Sequence, residues 1–237
     1  PAGLSSIFYS YLFFLCLKIP SLTHIRSPSA DNNRKKEIKN IIFVKQKQTK
    51  SSRQFMEYSV LSPDTEPRFK EIQKRIRRLQ NRGNIESLEH LGINTENQIG
   101  ASFLSLKTLA ACYQPDENLA ILLWNTCKRE EQIVACLLLP KKINKEKITQ
   151  LIQSCYNTEL AEYFGSLYLC HQENLKEIAS EWSDSNIPFQ QIAALTACAR
   201  HLILYKSAPV ISADFLKLLS HKDYTDKYVK LVASRYS

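Results

Sequence analysis

From Phe69 to Tyr236 the apolar residues recur at helical spacing in short blocks, each ended by proline or a run of polar residues. Phe69, Ile72, Ile76 and Leu79 stand at i, i+3, i+7 and i+10, which places them on one face of a helix that starts near Pro67 and stops at Asn81 to Gly83. The same reading predicts a short helix at Ile85–Leu91, then the loop LGINTENQIG, then helices at Phe103–Tyr113, Glu117–Cys127 and Glu130–Leu139, the last ended by Pro140. Further blocks follow: Asn144 to Cys155, Thr158 to His171, Glu173–Ser183, Pro188 to Tyr205, Ser212–Ser220 and Thr225–Tyr236. Five glycines in 237 residues leave few φ > 0 positions for hairpins, which counts against a sheet-rich fold.

Short connections between blocks of this length make consecutive helices antiparallel neighbours. The blocks pair, and the pairs recur at approximately the period of HEAT-like arrays. The expected fold is therefore all-α, a HEAT-like helical repeat superhelix with a concave surface, occupying residues 56–237.

Residues 1–55 do not fit that pattern. They carry ten Lys or Arg against two acids, whereas the remaining domain has twenty-two basic and twenty-one acidic residues, so the formal charge of +9 describes the leader. The leader is apolar from Ile7 to Ile19, then polar and basic. No charge precedes the apolar run, as a signal peptide would want, and the run is short of the roughly 20 residues that span a bilayer. A third reading makes Met56, the only Met, the natural start, with a translated leader or added sequence before it. That last reading is the expectation adopted, and no membrane partner is expected.

Of the seven cysteines, Cys112, Cys127, Cys136, Cys155, Cys170 and Cys198 fall in the domain without any C-x-x-C pair, most inside apolar stretches such as IVACLLL. Dispersed thiols of that kind suit a reduced, cytoplasmic protein. The five His lack H-x-x-x-H spacing, so neither a metal site nor a cofactor is expected. Opposite the apolar face of the first helix stand Lys70, Lys74, Arg75, Arg77, Arg78 and Arg82. This is either a solvated amphipathic face or a helix laid along a phosphate backbone, where each cation displaces a counterion.

The stretch from Leu91 to Pro140 resembles the AlkD-like family of DNA alkylation repair proteins. The motifs are Gly100 in a loop, Leu106, Leu109 and Ala110 closing a helix, Leu119-Ala120 with Leu123-Trp124, and Arg129-Glu130 ahead of the apolar run Ile133–Leu139. Further on, Glu181-Trp182 and Ser185-Asn186 are similar to the family's Glu-Trp and Ser-x-Asn stretch. The resemblance covers approximately Phe69 to Tyr236. It implies HEAT-like repeats, a concave groove for damaged duplex DNA, and excision of positively charged alkylated bases. In such enzymes an Asp four residues after a Trp stabilises the developing charge on the sugar while water attacks, and an Arg of an Arg-Arg pair holds the phosphate.

Carried onto this chain, the Trp-x-x-x-Asp positions fall on Thr158 and Glu162, so the aromatic wall is missing and the carboxylate is one methylene longer. The Arg-Arg pair falls on Gln190 and Gln191, which keep hydrogen-bonding capacity without charge. Trp124 and Trp182 belong to packing motifs, leaving Tyr156 and Tyr163 to stand in for the groove's aromatics. Two expectations follow: a DNA glycosylase with Glu162 as electrostatic stabiliser, or a non-catalytic repeat module. The second binds DNA through Lys70, Lys74, Arg77, Arg78, Thr158, Tyr163, Gln190 and Gln191, or else binds a protein partner. A monomer is expected in either case.

Overall fold

The computed structural model describes residues 63–237, and all of its regular structure there is helical. The expected boundary at Met56 and the apolar leader run lie outside the described residues. Eleven α-helices occur among the described residues. They are α1 (Thr65–Arg77), α2 (Arg82–His90), α3 (Phe103–Ala110), α4 (Glu117–Asn125), α5 (Arg129–Leu138), α6 (Lys145–Gln153), α7 (Thr158–Leu167), α8 (Leu175–Ser183), α9 (Pro188–Leu204), α10 (Ala213–Ser220) and α11 (Lys227–Ala233).

Local chemistry sets most of the starts. Asn81, Ser102, Asp116, Asn144, Asn157, Ser212 and Asp226 each accept a first-turn N–H with the side chain, filling one of the donors a helix leaves open. Pro188 occupies the first turn of α9, where its missing N–H costs nothing. Gly100, at φ +73, turns the loop back under α2, where a Cβ would stand 2.5 Å from the Asn81 carbonyl oxygen.

The odd-numbered helices form a layer in chain order: α3 packs on α5, α5 on α7, α7 on α9 and α9 on α11. The even helices back it, with α4 on α5, α8 on α9, and α6 and α10 also against α9. Each pair thus meets mainly its neighbours, as a helical-repeat stack requires. Trp124 and Trp182, each 1% exposed, lie in the core with Phe164, Leu160, Ile192 and Leu195. α7 and α9 approach closely at Gly165 and Ala193.

Two details depart from the sequence reading. The block from Thr158 to His171 breaks at Tyr168, whose backbone leaves the helical region, and resumes as a 3₁₀ turn at Leu169–His171. Tertiary bonds reward the break: the neighbouring loops meet where His171 Nδ1 and the Tyr205 hydroxyl lie 2.8 Å apart. Arg75 is also not on a purely solvated face, because its guanidinium donates to the Tyr113 hydroxyl at 2.9 Å and approaches Glu71.

Candidate functional site

Thr158 opens α7 and Glu162 stands one turn later, so the two share a face as their spacing requires. Glu162 has a partner no local pattern announces. Arg235, just beyond α11, donates from Nη1 to both carboxylate oxygens, at 3.1 and 3.2 Å. Both side chains are about three-quarters covered, at 27% and 23% exposure. Burial pushes the Glu162 carboxyl above its ordinary range, and the Arg235 charge and hydrogen bond only partly offset this.

Three residues before Glu162, Glu159 is also held. Arg129 donates to it from Nη2 at 2.6 Å and Nε at 2.9 Å, a two-pronged pair, and reaches Glu130 at 3.2 Å. Glu130 in turn accepts the Ile99 N–H, and Arg129's own N–H donates to the Asn97 carbonyl. Burial alone would lower the Arg129 pKa, but Glu159 and the neighbouring groups raise it overall. The charges on this part of the odd layer therefore compensate one another.

Tyr163 points inward. It is 8% exposed and stacks on Phe103 with ring centroids 5.3 Å apart and planes 19° off parallel. Tyr156 is half-buried. Gln190 is 4% exposed, and Gln191 Nε2 donates to the Ser185 carbonyl at 2.6 Å. Gln191 borders an open polar cleft of about 400 Å³ whose only lining cation, Lys222, is bound to Ser183 and Asp184 at 2.7 and 2.6 Å.

On α1, Lys70 pairs with Glu66 at 2.6 Å, four residues back. Lys74, Arg77 and Arg78 are exposed, and none of them takes part in an ion pair among the described residues. This helix packs on α3, α4 and α5, whereas Glu162 belongs to α7 and faces the chain's end, so the cationic residues and the carboxylate sit on different parts of the stack. Sequence reasoning missed Arg235 and the Arg129–Glu159 pair, which join residues 73 and 30 positions apart. No local spacing could have indicated either.

The cysteines in the described residues are free thiols, and burial pushes Cys155, Cys170 and Cys198 up to about 12. Among the described residues no cluster of three metal-ligating side chains occurs, and no helix is long and apolar enough to cross a membrane. No curated protein and no solved structure matches the chain. A family model described as DNA alkylation repair enzyme matches residues 72–222.

Proposed function

Because the chain belongs to the DNA alkylation repair enzyme family, we propose that it binds duplex DNA and has weak or no base-excision activity. The observation that carries this reading is the Glu162–Arg235 pair. The resemblance asks the acid at this position to stabilise a cation developing on the sugar. A carboxylate with a guanidinium against both its oxygens presents a dipole there instead of a free negative charge. At an effective dielectric of about 20, unit charges 4 Å apart interact by about 4 kcal/mol, and a guanidinium at twice that distance takes back roughly half.

The other substitutions act in the same direction. Thr158 offers no aromatic wall for a lesion. Gln190 and Gln191 carry no charge to grip a phosphate, and Gln190 is buried while Gln191 is engaged with Ser185. Losing one charge-assisted phosphate contact costs about 1.5–3 kcal/mol. DNA affinity is then left to cations free to displace counterions, and Lys74, Arg77 and Arg78 meet that description.

The test is release of methylated purine from alkylated duplex, measured alongside duplex binding over a salt series. The expected result is salt-sensitive binding, with base release no higher than in Glu162→Gln. Release clearly above that variant would restore the glycosylase reading. Duplex binding that survives charge reversal of Lys74, Arg77 and Arg78 would remove α1 from the DNA-contacting surface.

A further inference from the structure

Helices that alternate in direction place their connections on two opposite rims of the stack. One rim carries residues 111–116, 139–144, 168–174 and 205–212; the other carries 91–102, 126–128, 154–157, 184–187 and 221–226. Bonds between loops fix this grouping. On the first rim the Asp116 N–H donates to the Leu138 carbonyl at 2.9 Å, His201 Nδ1 lies 2.7 Å from the Cys170 carbonyl, and the Val210 N–H donates to His201 Nε2 at 3.0 Å. On the second, Trp124 Nε1 donates to Ser154 Oγ at 2.7 Å and Lys222 reaches Asp184.

The rims differ in how their cations are used. Both lysines of the second rim are ion-paired: Lys128 with Glu131 at 3.5 Å and Lys222 with Asp184 at 2.6 Å. That rim also carries Glu96, Asp184, Asp223 and Asp226. Lys141, Lys142 and Lys206 on the first rim are exposed, and none makes an ion pair among the described residues. Its acids are Asp116, bound to Arg68 at 3.2 Å, and Glu173.

At the centre of the first rim sits His171, 2.8 Å from the Tyr205 hydroxyl. Burial and then the charges of Lys141, Arg200 and His201 hold this imidazole below its ordinary range. Glu173, two residues on, is not among the groups acting on it. The field at His171 is therefore positive, and it comes from the loop 139–144 and α9 together.

We propose that this rim, through Lys141, Lys142, Arg200 and Lys206 around the His171–Tyr205 hydrogen bond, binds the phosphate backbone of duplex DNA. The inference rests on the DNA-binding reading above and adds a second contact to it, separate from α1. Spacing supports a nucleic-acid strand as the occupant. Packed helices lie about 8–10 Å apart, so successive rim loops step by about the rise of three base pairs, at about 3.4 Å each. Lys141 and Lys142 stand on one rim loop and Lys206 two loops on, so cations meet a regular polyanion at every second layer, while the odd layer beside it has committed Arg129 and Arg235 to its own glutamates.

The test compares duplex binding by the full chain over a salt series, in the unaltered protein, in Lys141→Glu/Lys206→Glu, and in the charge-matched control Lys217→Glu/Lys227→Glu. The control residues lie on α10 and α11, away from the first rim. The rim variant is expected to bind at least about tenfold more weakly at low salt, with the slope of log K against log salt reduced by about two, one per lysine. The control is expected to change binding by less than about threefold, the effect of net charge alone. Circular dichroism of each variant checks that the helices persist. If the unaltered chain binds but both variants weaken equally or not at all, the rim assignment is wrong and the broader reading survives. If the unaltered chain shows no salt-dependent duplex binding, both fall.

Discussion

Along the seam between α7 and α9 the two backbones come so close that a methyl on Gly165 would stand 2.5 Å from the Ala193 carbonyl oxygen, whereas α2 buries no residue at all and α1 buries only Thr65, Ile72 and Ile76. Charge divides the same two regions in the opposite sense. Near the seam, Arg129 and Arg235 are bound to Glu159 and Glu162; on α1, Lys74, Arg77 and Arg78 face solvent. Each property of the fold therefore resides in its own region. Stability belongs to the interior layers, and charge available to a polyanion belongs to the end and the rim.

That division can be broken first at Arg129. In Arg129→Ala the buried Glu130, 1% exposed, loses its cation while Glu159 loses its two-pronged partner. Removing one member of a buried pair costs about 3–5 kcal/mol. Chemical denaturation is expected to show a loss in that range, and a change under 1 kcal/mol would mean the pair is solvated and the interior is less rigid than its geometry implies. Gly165→Ala is the next largest. Alanine gains about 1 kcal/mol of helix propensity over glycine, but overpacking against a backbone that cannot swing aside costs about 1–3 kcal/mol or more. The overpacking is expected to win, giving net destabilisation in thermal unfolding. A stabilised variant would show that α7 and α9 can move apart freely.

The sequence made the division only half visible, for physical reasons. Helix starts were legible because Asn144, Pro188 and Ser212 act on their own first turns, and each stands at the start expected for it. Ends were less so. The block expected to reach Tyr113 leaves the α-helix after Ala110, and residues Cys112 and Tyr113 close with tighter turn bonds to Leu109 and Ala110. Trp124 and Trp182, expected in packing motifs, are both buried in the core. The shared face of Thr158 and Glu162 was equally legible, being a matter of four-residue spacing. What faces Glu162 was not, because Arg235 arrives through the packing of α11 on α9. The inward direction of Tyr163 was not legible for a similar reason: its stacking partner Phe103 stands sixty residues earlier.

Reversing Lys74, Arg77 and Arg78 sharpens the contrast from the other side. Exposed positions without ion pairs seldom matter to stability, so each substitution is expected to change unfolding free energy by no more than about 0.5 kcal/mol. Duplex affinity is expected to fall, with the salt slope reduced by about one for each lost phosphate contact. A large stability loss with unchanged binding would invert the assignment of the two regions.

The smallest effect concerns the pH dependence of Glu162. Its folded-state pKa is raised, chiefly by burial, despite the pull of Arg235 in the other direction. A carboxyl whose folded pKa lies above its unfolded value binds its proton more tightly in the folded state. Its contribution to stability is therefore fully present below the ordinary carboxylate pKa and is lost as pH rises through the folded value. Glu162→Gln removes that titration and is expected to flatten the fall in stability on going from acid toward neutral pH. Arg235→Met removes the group that lowers the pKa, so the folded value rises further and the fall steepens, leaving this variant weakest at neutral pH. Unfolding curves of the three proteins across that window separate the cases. If Arg235→Met shows the same pH profile as the unaltered chain, the guanidinium does not act on Glu162 in solution, and the carboxylate is free for the chemistry that its family position implies.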